Sequence, residues 1–185
     1  MKTALLVIDI QNDYFPGGKM ELAEMSYAAE NSKRIISHFR KNNWPVIFIK
    51  HLAVKPTAAF FIPDSAGAEI HESVRPLDTE TVIIKNFPNS FRNTSLHQKL
   101  QFMQVSDLVI CGAMTHMCVD TTTRAANDLG YLCTIITDAC AARDLTFNGQ
   151  VVCASEVQLA YMAAINGSFG MVISTNEYIE SVESD

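Results

Sequence analysis

The sequence predicts an α/β fold, a parallel β-sheet covered on both faces by helices. Two observations carry that prediction. Six short apolar runs rich in Val, Ile and Leu recur along the chain, and most are separated by stretches with helical periodicity. The runs are near-continuously apolar rather than alternating, the pattern of strands buried on both faces.

The elements follow in order. Leu5–Ile8 reads as the first strand. Ser26–Asn42 reads as an amphipathic helix with Ile35, Ile36 and Phe39 on one face and Ser26 placed to cap it. Pro45–Ile49 and Thr81–Ile84 are the second and third strands. Ser95–Met103 is a short helix leading to the fourth strand, Leu108–Cys111. His116–Leu129 is helical and stops at Gly130, a suitable terminator. Tyr131–Thr137 is the fifth strand, Gln150–Asn166 a long helix closed by Gly167, and Met171–Ser174 the sixth strand, before a short helical tail. Between Leu52 and Glu80 no strong periodic element appears, although Ala66–Val74 fits one or two helical turns. Connections of this length are usually functional or disordered. This one carries Phe60, Phe61 and Pro63, and reads either as a packed wall of a pocket or as a plain crossover with buried aromatics.

The 185 residues favour one domain over residues 1–185, and a hydrophobic content of 48% supports a sizeable core. A net charge of −6 without a basic cluster disfavours nucleic acid and a membrane surface as partners. The first apolar run is broken by Asp9, too early for a signal-peptide core, and no run is long enough to span a bilayer. A soluble, cytoplasmic protein is expected. Five cysteines without close CxxC pairs argue against a disulfide framework and a structural zinc site.

Three reactive residues stand at or just beyond strand ends: Asp9 in VIDIQNDYF, Lys85 in TVIIK and Cys118 in VICGAMTHMCVDTT. In a parallel sheet ligands bind outside the carboxyl ends of the strands, so the three can meet on one edge. With Thr115 as N-cap, Cys118 falls in the first helical turn, where partial positive charge favours thiolate. Asp9 is then a general base for the thiol or a brace for its turn. Lys85 pairs with Asp9 and favours the thiolate, or is a solvated strand-end lysine. Gly112 permits a sharp turn into a stretch whose N–H groups can face an oxyanion. Gln11 is a candidate substrate contact, Phe15 and Phe87 either wall the site or pack the core, and His116 faces the site or solvent. Arg92, Arg143, Asp138 and Asp144 read as structural or interfacial.

On these motifs the chain resembles the isochorismatase-like cysteine hydrolases, a family related to nicotinamidases. The matching features are D-x-Q-N-D-Y-F-P-G-G from Asp9 to Gly18, the Lys85 strand, G-x-x-T-x-x-C-V from Gly112 to Val119, and the loop FFIPDSAGAEIH from Phe60 to His71. The resemblance covers nearly the whole chain. It implies a three-layer α/β/α, Rossmann-like fold with a six-stranded parallel sheet, and a catalytic triad of Asp9, Lys85 and Cys118. It also implies a cis peptide between Ala113 and Met114, an oxyanion hole from the N–H groups of Met114 and Cys118, and assembly into dimers or larger homo-oligomers. The implied reaction is hydrolysis of a small amide or carbamoyl substrate through a Cys118 thioester.

Two departures narrow the branch. Nicotinamidases carry a metal on an Asp-x-His pair after the second strand, and here that stretch is Ile49-Lys50-His51, with His71 lacking an evident co-ligand. No metal and no cofactor are therefore expected. Isochorismatases proper cleave a vinyl ether and lack the nucleophilic cysteine, whereas Cys118 is present. Three alternatives stay open at this level: a vinyl-ether or ester hydrolase with Cys118 incidental, a redox thiol protein, and a non-catalytic binding module on the same fold.

Overall fold

The computed structural model describes residues 2–183. Its central sheet contains β1 (Thr3–Ile8), β2 (Val46–His51), β3 (Thr81–Lys85), β4 (Asp107–Ala113), β5 (Leu132–Ala141) and β8 (Met171–Ile173). The strands lie in the order β3-β2-β1-β4-β5-β8, and every pairing is parallel. The chain starts in the middle, runs outward through β2 and β3, then returns to build β4, β5 and β8 on the other side. The direction of travel reverses between β1 and β4, and such a switch point leaves a crevice at the strand carboxyl ends.

Helices cover both faces, as the near-continuous apolar runs require. Leu5 and Val7 of β1 face α1 (Met25–Lys41) and α5 (Thr175–Glu183) through Ile35, Ile36, Phe39 and Tyr178. Leu6 and Ile8 face α2 (Leu96–Phe102), α3 (Asp120–Asp128) and α4 (Ala154–Ile165) through Leu96, Leu100, Ala126 and Ile165. Each of the Val, Leu, Ile and Phe side chains among them contributes about 1.5–3 kcal/mol on full burial. The edge strand β3 alternates instead, with Val82 and Ile84 exposed.

Four local details differ from the sequence reading. Ser26 does not cap α1. The helix begins a residue earlier, at Met25, so the N-cap is Glu24, in the left-handed region and without a side-chain cap bond. The helix expected over His116–Leu129 opens with a π-helical turn over Thr115–Val119 and becomes α-helical only at Asp120. Strand β5 runs to Ala141, past the expected end at Thr137, because its register on β4 shifts between Ile110 and Gly112 and pairing resumes at Cys140 and Ala141.

The fourth difference is the largest. The front of the helix expected over Gln150–Asn166 is a β-hairpin, β6 (Leu145–Phe147) with β7 (Gln150–Val152). Asn148 and Gly149 both have positive φ, the demand of a tight two-residue hairpin turn, and Asn-Gly is its strongest local signal. Helix α4 then starts at Ala154, with Glu156 accepting from Cys153 N–H in a capping arrangement. Gly130 and Gly167 both take positive φ where the helices stop, as expected.

Candidate active site

The site is assembled where β1 and β4 end side by side. Gly112 is required there: its φ is +121°, and a Cβ would lie 2.0 Å from the Ile8 carbonyl oxygen. That close approach brings the segment after β4 against Asp9, which follows β1 with φ 49° and is held by its N–H on the Ile49 carbonyl. The Ala113–Met114 peptide is cis, as the resemblance implies. The chain then enters the π-helical turn that carries Cys118, in which the N–H groups of Met117 and Val119 both donate to the Met114 carbonyl. Thr115 does not act as its cap. Its hydroxyl donates to Gln158 on α4, so it does not compete for the N–H of Cys118.

Lys85 closes β3 beside His51, which closes β2. The Lys85 ammonium is fully buried, 2.8 Å from Asp9 Oδ2 and 3.4 Å from His51 Nδ1, and donates to the Phe87 and Pro88 carbonyls at 3.1 Å. One donor atom from each of Asp9, His51 and Cys118 lies within 4.8 Å of the others. Acid, base and thiol therefore converge, with His51 as a fourth member. The Asp9 carboxylate is fully buried, and the Lys85 ammonium is its ion-pair partner.

The electrostatics settle the resting protonation. Burial, reinforced by the Asp9 charge and opposed by Lys85, pushes the Cys118 thiol up to about 12. Burial works against the Lys85 ammonium, but Asp9 and Cys118 outweigh it and raise its pKa. Burial, with help from Lys85, lowers His51 despite Asp9. At neutral pH the site holds a thiol, an ammonium and a neutral imidazole. The lowering of the Cys118 pKa expected from the helix terminus is outweighed by desolvation and a neighbouring carboxylate.

The Asp-x-His metal pair does not fit this site. Ile49, a core residue of β2, stands where its Asp would be. His71 stacks on Phe15 at 3.6 Å, and its Nδ1 lies 2.8 Å from Ser73 Oγ. Asp9, His51 and Cys118 are close enough to ligate an ion, but the Lys85 ammonium already sits against the same carboxylate and would repel a dication.

A cavity of about 310 Å³ opens onto Cys118, lined by Tyr14, Phe60, Met114, His116 and Arg143 among others. A second, of about 360 Å³, shares His51, Phe60 and Pro88 with it and is lined by Phe87. The long connection after β2 supplies the wall. Its helical turns fall at Ala66–Ala68 and Glu72–Val74, inside the expected stretch. It is pinned by the buried carboxylate of Asp13, which accepts from Phe61 N–H at 2.7 Å, and Gly67 packs directly on that carboxylate.

The remaining predicted residues divide. Gln11 is fully buried, donates to the His51 and Ala68 carbonyls and accepts from His51 N–H, so it braces β2 against the loop. Phe15 packs in the core on His71. Phe87 walls the second cavity, with the Arg92 guanidinium 3.8 Å above its ring. His116 faces the first cavity, edge-on to Tyr161, and its Nδ1 is buried without a partner among the described residues. Asp138 accepts from Thr175 and Asp144 from Ala154 N–H, both structural roles. Arg143 does line the cavity, contrary to its structural reading. His51 had a legible signal, since it ends its strand as Lys85 does. Tyr14 stood inside the QNDYF motif, and nothing in the sequence marked Arg143.

A family model described as the isochorismatase domain matches residues 3–177. The chain is 50% identical to the uncharacterized isochorismatase family protein YddQ of Bacillus subtilis (strain 168), over 97% of this chain and 100% of that one. It is 28% identical to nicotinamidase 3 of Arabidopsis thaliana, over 85% of this chain and 80% of that one. The crystal structure of a provisionally named isochorismatase hydrolase from Oleispira antarctica matches with a TM-score of 0.93 at 45% identity, covering 97% of this chain and 96% of that one. That of a cysteine hydrolase from Pseudomonas syringae pv. phaseolicola 1448A matches with a TM-score of 0.92 at 25% identity, covering 99% and 93%.

Proposed function

This chain belongs to the isochorismatase family of hydrolases, and from that premise we propose that it is a cysteine hydrolase of small amide or carbamoyl compounds. The observation that carries the reading is the convergence of Asp9, Lys85 and Cys118 beside a small cavity. Similarity to a protein named nicotinamidase and to one named cysteine hydrolase supports amide chemistry at a thiol. The Ile49 substitution in the Asp-x-His pair points to a substrate other than nicotinamide.

Because the resting sulfur is a thiol, the proton leaves it during the reaction. Asp9 takes the Cys118 proton as Sγ attacks the carbonyl carbon, forming a C–S bond and an oxyanion. The backbone N–H groups of Met114 and Cys118 are the proposed donors to that oxyanion. Collapse breaks the C–N bond, and Asp9 returns the proton to the leaving nitrogen. Water, deprotonated by Asp9, then adds to the thioester. Collapse breaks the C–S bond, releases the acid and restores the thiol. Lys85, 2.8 Å from Asp9 Oδ2, balances the carboxylate's charge between steps.

Two alternatives fit less well. A redox thiol needs an accessible thiolate, and Cys118 is buried with its pKa raised. A binding module gives no reason for a buried ion pair to meet a thiol. The test is a screen of amides and carbamoyl compounds with intact-mass detection of an acyl adduct on Cys118. Cys118→Ala is expected to abolish turnover and adduct while keeping the fold. A variant with full activity on the same substrate would end the covalent scheme.

A further inference from the structure

The cavity at Cys118 has an uneven lining. Met20, Phe60, Pro88, Met117 and Leu145 make it largely apolar, and among the described residues Arg143 is its only full charge. No acid lines it, and no carboxylate pairs with Arg143 among the described residues. The guanidinium makes one long bond, at 3.5 Å to the backbone carbonyl of Asp144. The Asp144 carboxylate is committed elsewhere, accepting from Ala154 N–H at 2.8 Å at the start of α4. Nearby charges do not cancel it either. Lys85 and Asp9 neutralise each other, and burial lowers the pKa of His51 and His116, leaving both imidazoles neutral. Beyond the larger effect of burial, the Arg143 charge reaches both walls, depressing His116 further and opposing the rise of Tyr14.

An uncompensated guanidinium over an apolar cavity is suited to one ligand class, since its planar fork matches a carboxylate in two parallel hydrogen bonds. A volume of about 310 Å³ is at the small end for a ligand site. Resting on the cysteine-hydrolase reading, we propose that the substrate is a small acidic amide, with an apolar body and a carboxylate bound by Arg143 while its scissile carbonyl lies at Cys118. Arg143 is then a specificity residue.

The test uses the full chain carrying Cys118→Ala, so that binding is read apart from turnover. The probes are N-carbamoyl amino acids and dicarboxylic acid monoamides, each beside its neutral methyl ester, titrated by calorimetry. The acids are expected to bind about 10- to 100-fold more tightly than their esters, the range of a charge-assisted pair. Adding Arg143→Leu should erase that preference, and Arg143→Lys should keep part of it. In the active enzyme Arg143→Leu should raise KM for the acids while kcat changes little. Thermal melting controls for folding, and Arg143 is exposed. Equal or absent binding of acids and esters, or a preference that survives Arg143→Leu, overturns the proposal. The two readings fail separately. Turnover of neutral amides through a Cys118 adduct without acid preference defeats only the substrate class. Acid-selective binding that depends on Arg143, without turnover of any amide, supports carboxylate recognition and defeats the amidase reading.

Discussion

Replacing Lys85 with Met tests whether the buried ion pair holds the site together. The ammonium lies 2.8 Å from Asp9 Oδ2, and both side chains are fully buried. At that separation and an effective dielectric of about 20, the Coulomb attraction is about 6 kcal/mol. Breaking a buried pair by removing one partner costs about 3–5 kcal/mol, since the survivor is left desolvated and unpaired. For a chain of this length that corresponds to a fall in Tm of about 6–20 °C. Met also abandons the carbonyls of Phe87 and Pro88, which Lys85 satisfies, so the single variant mixes two losses. A double-mutant cycle separates them, because the carbonyl loss is common to Lys85→Met and to Asp9→Asn/Lys85→Met. The neutral double variant is expected to be more stable than the sum of the single losses by about 2 kcal/mol or more, while all three variants lose activity. Urea unfolding at neutral pH supplies the four stabilities. Additive losses, or a Lys85→Met protein as stable as the wild type, would refute the ion-pair account.

The other predictions concern the loop and the thiol. Gly67→Ala would set a Cβ 2.1 Å from Asp13 Oδ1, so the carboxylate must leave Phe61 N–H or the loop must lift. A loss of about 1–3 kcal/mol is expected, with faster proteolysis between residues 52 and 80; unchanged unfolding and cleavage would show that the loop is not anchored there. With its pKa near 12, Cys118 in the ligand-free protein should alkylate slowly at pH 7 and faster with each unit of pH up to about 10. A reactivity plateau near neutral pH, measured by peptide mass spectrometry, would contradict the resting thiol. The same shift bears on stability. A thiol raised from 9.0 to about 12 on folding contributes fully below pH 9, and that contribution is lost as pH rises toward 12. Cys111 and Cys133 shift alike, so unfolding free energy should fall over that range, and a flat profile from pH 9 to 12 would count against all three.

Much of the architecture was legible because it is local. Apolar runs such as Ala4–Ile8 must bury both faces, which demands helices above and below. Gly130 and Gly167 stop helices because they accept positive φ without cost. The departure at Gln150–Val152 is local too: the Asn148-Gly149 dipeptide before it specifies a hairpin turn, which holds this segment as strand in place of helix.

The sequence by itself determined which reactive groups end which strands, and hence that Asp9, Lys85 and Cys118 share one edge of the sheet. It did not determine their chemical state. Whether Cys118 rests as thiol or thiolate depends on desolvation and on Asp9, a residue far away in the chain, and both act only once the chain is packed. The same holds for Gln11, a brace once its amide meets His51 and Ala68, and for Arg143, which lines the cavity with no acid beside it there among the described residues. Periodicity and turn chemistry act between near neighbours and are written in order along the chain. Electrostatics and cavity lining act through space, and only the tertiary structure brings those groups together.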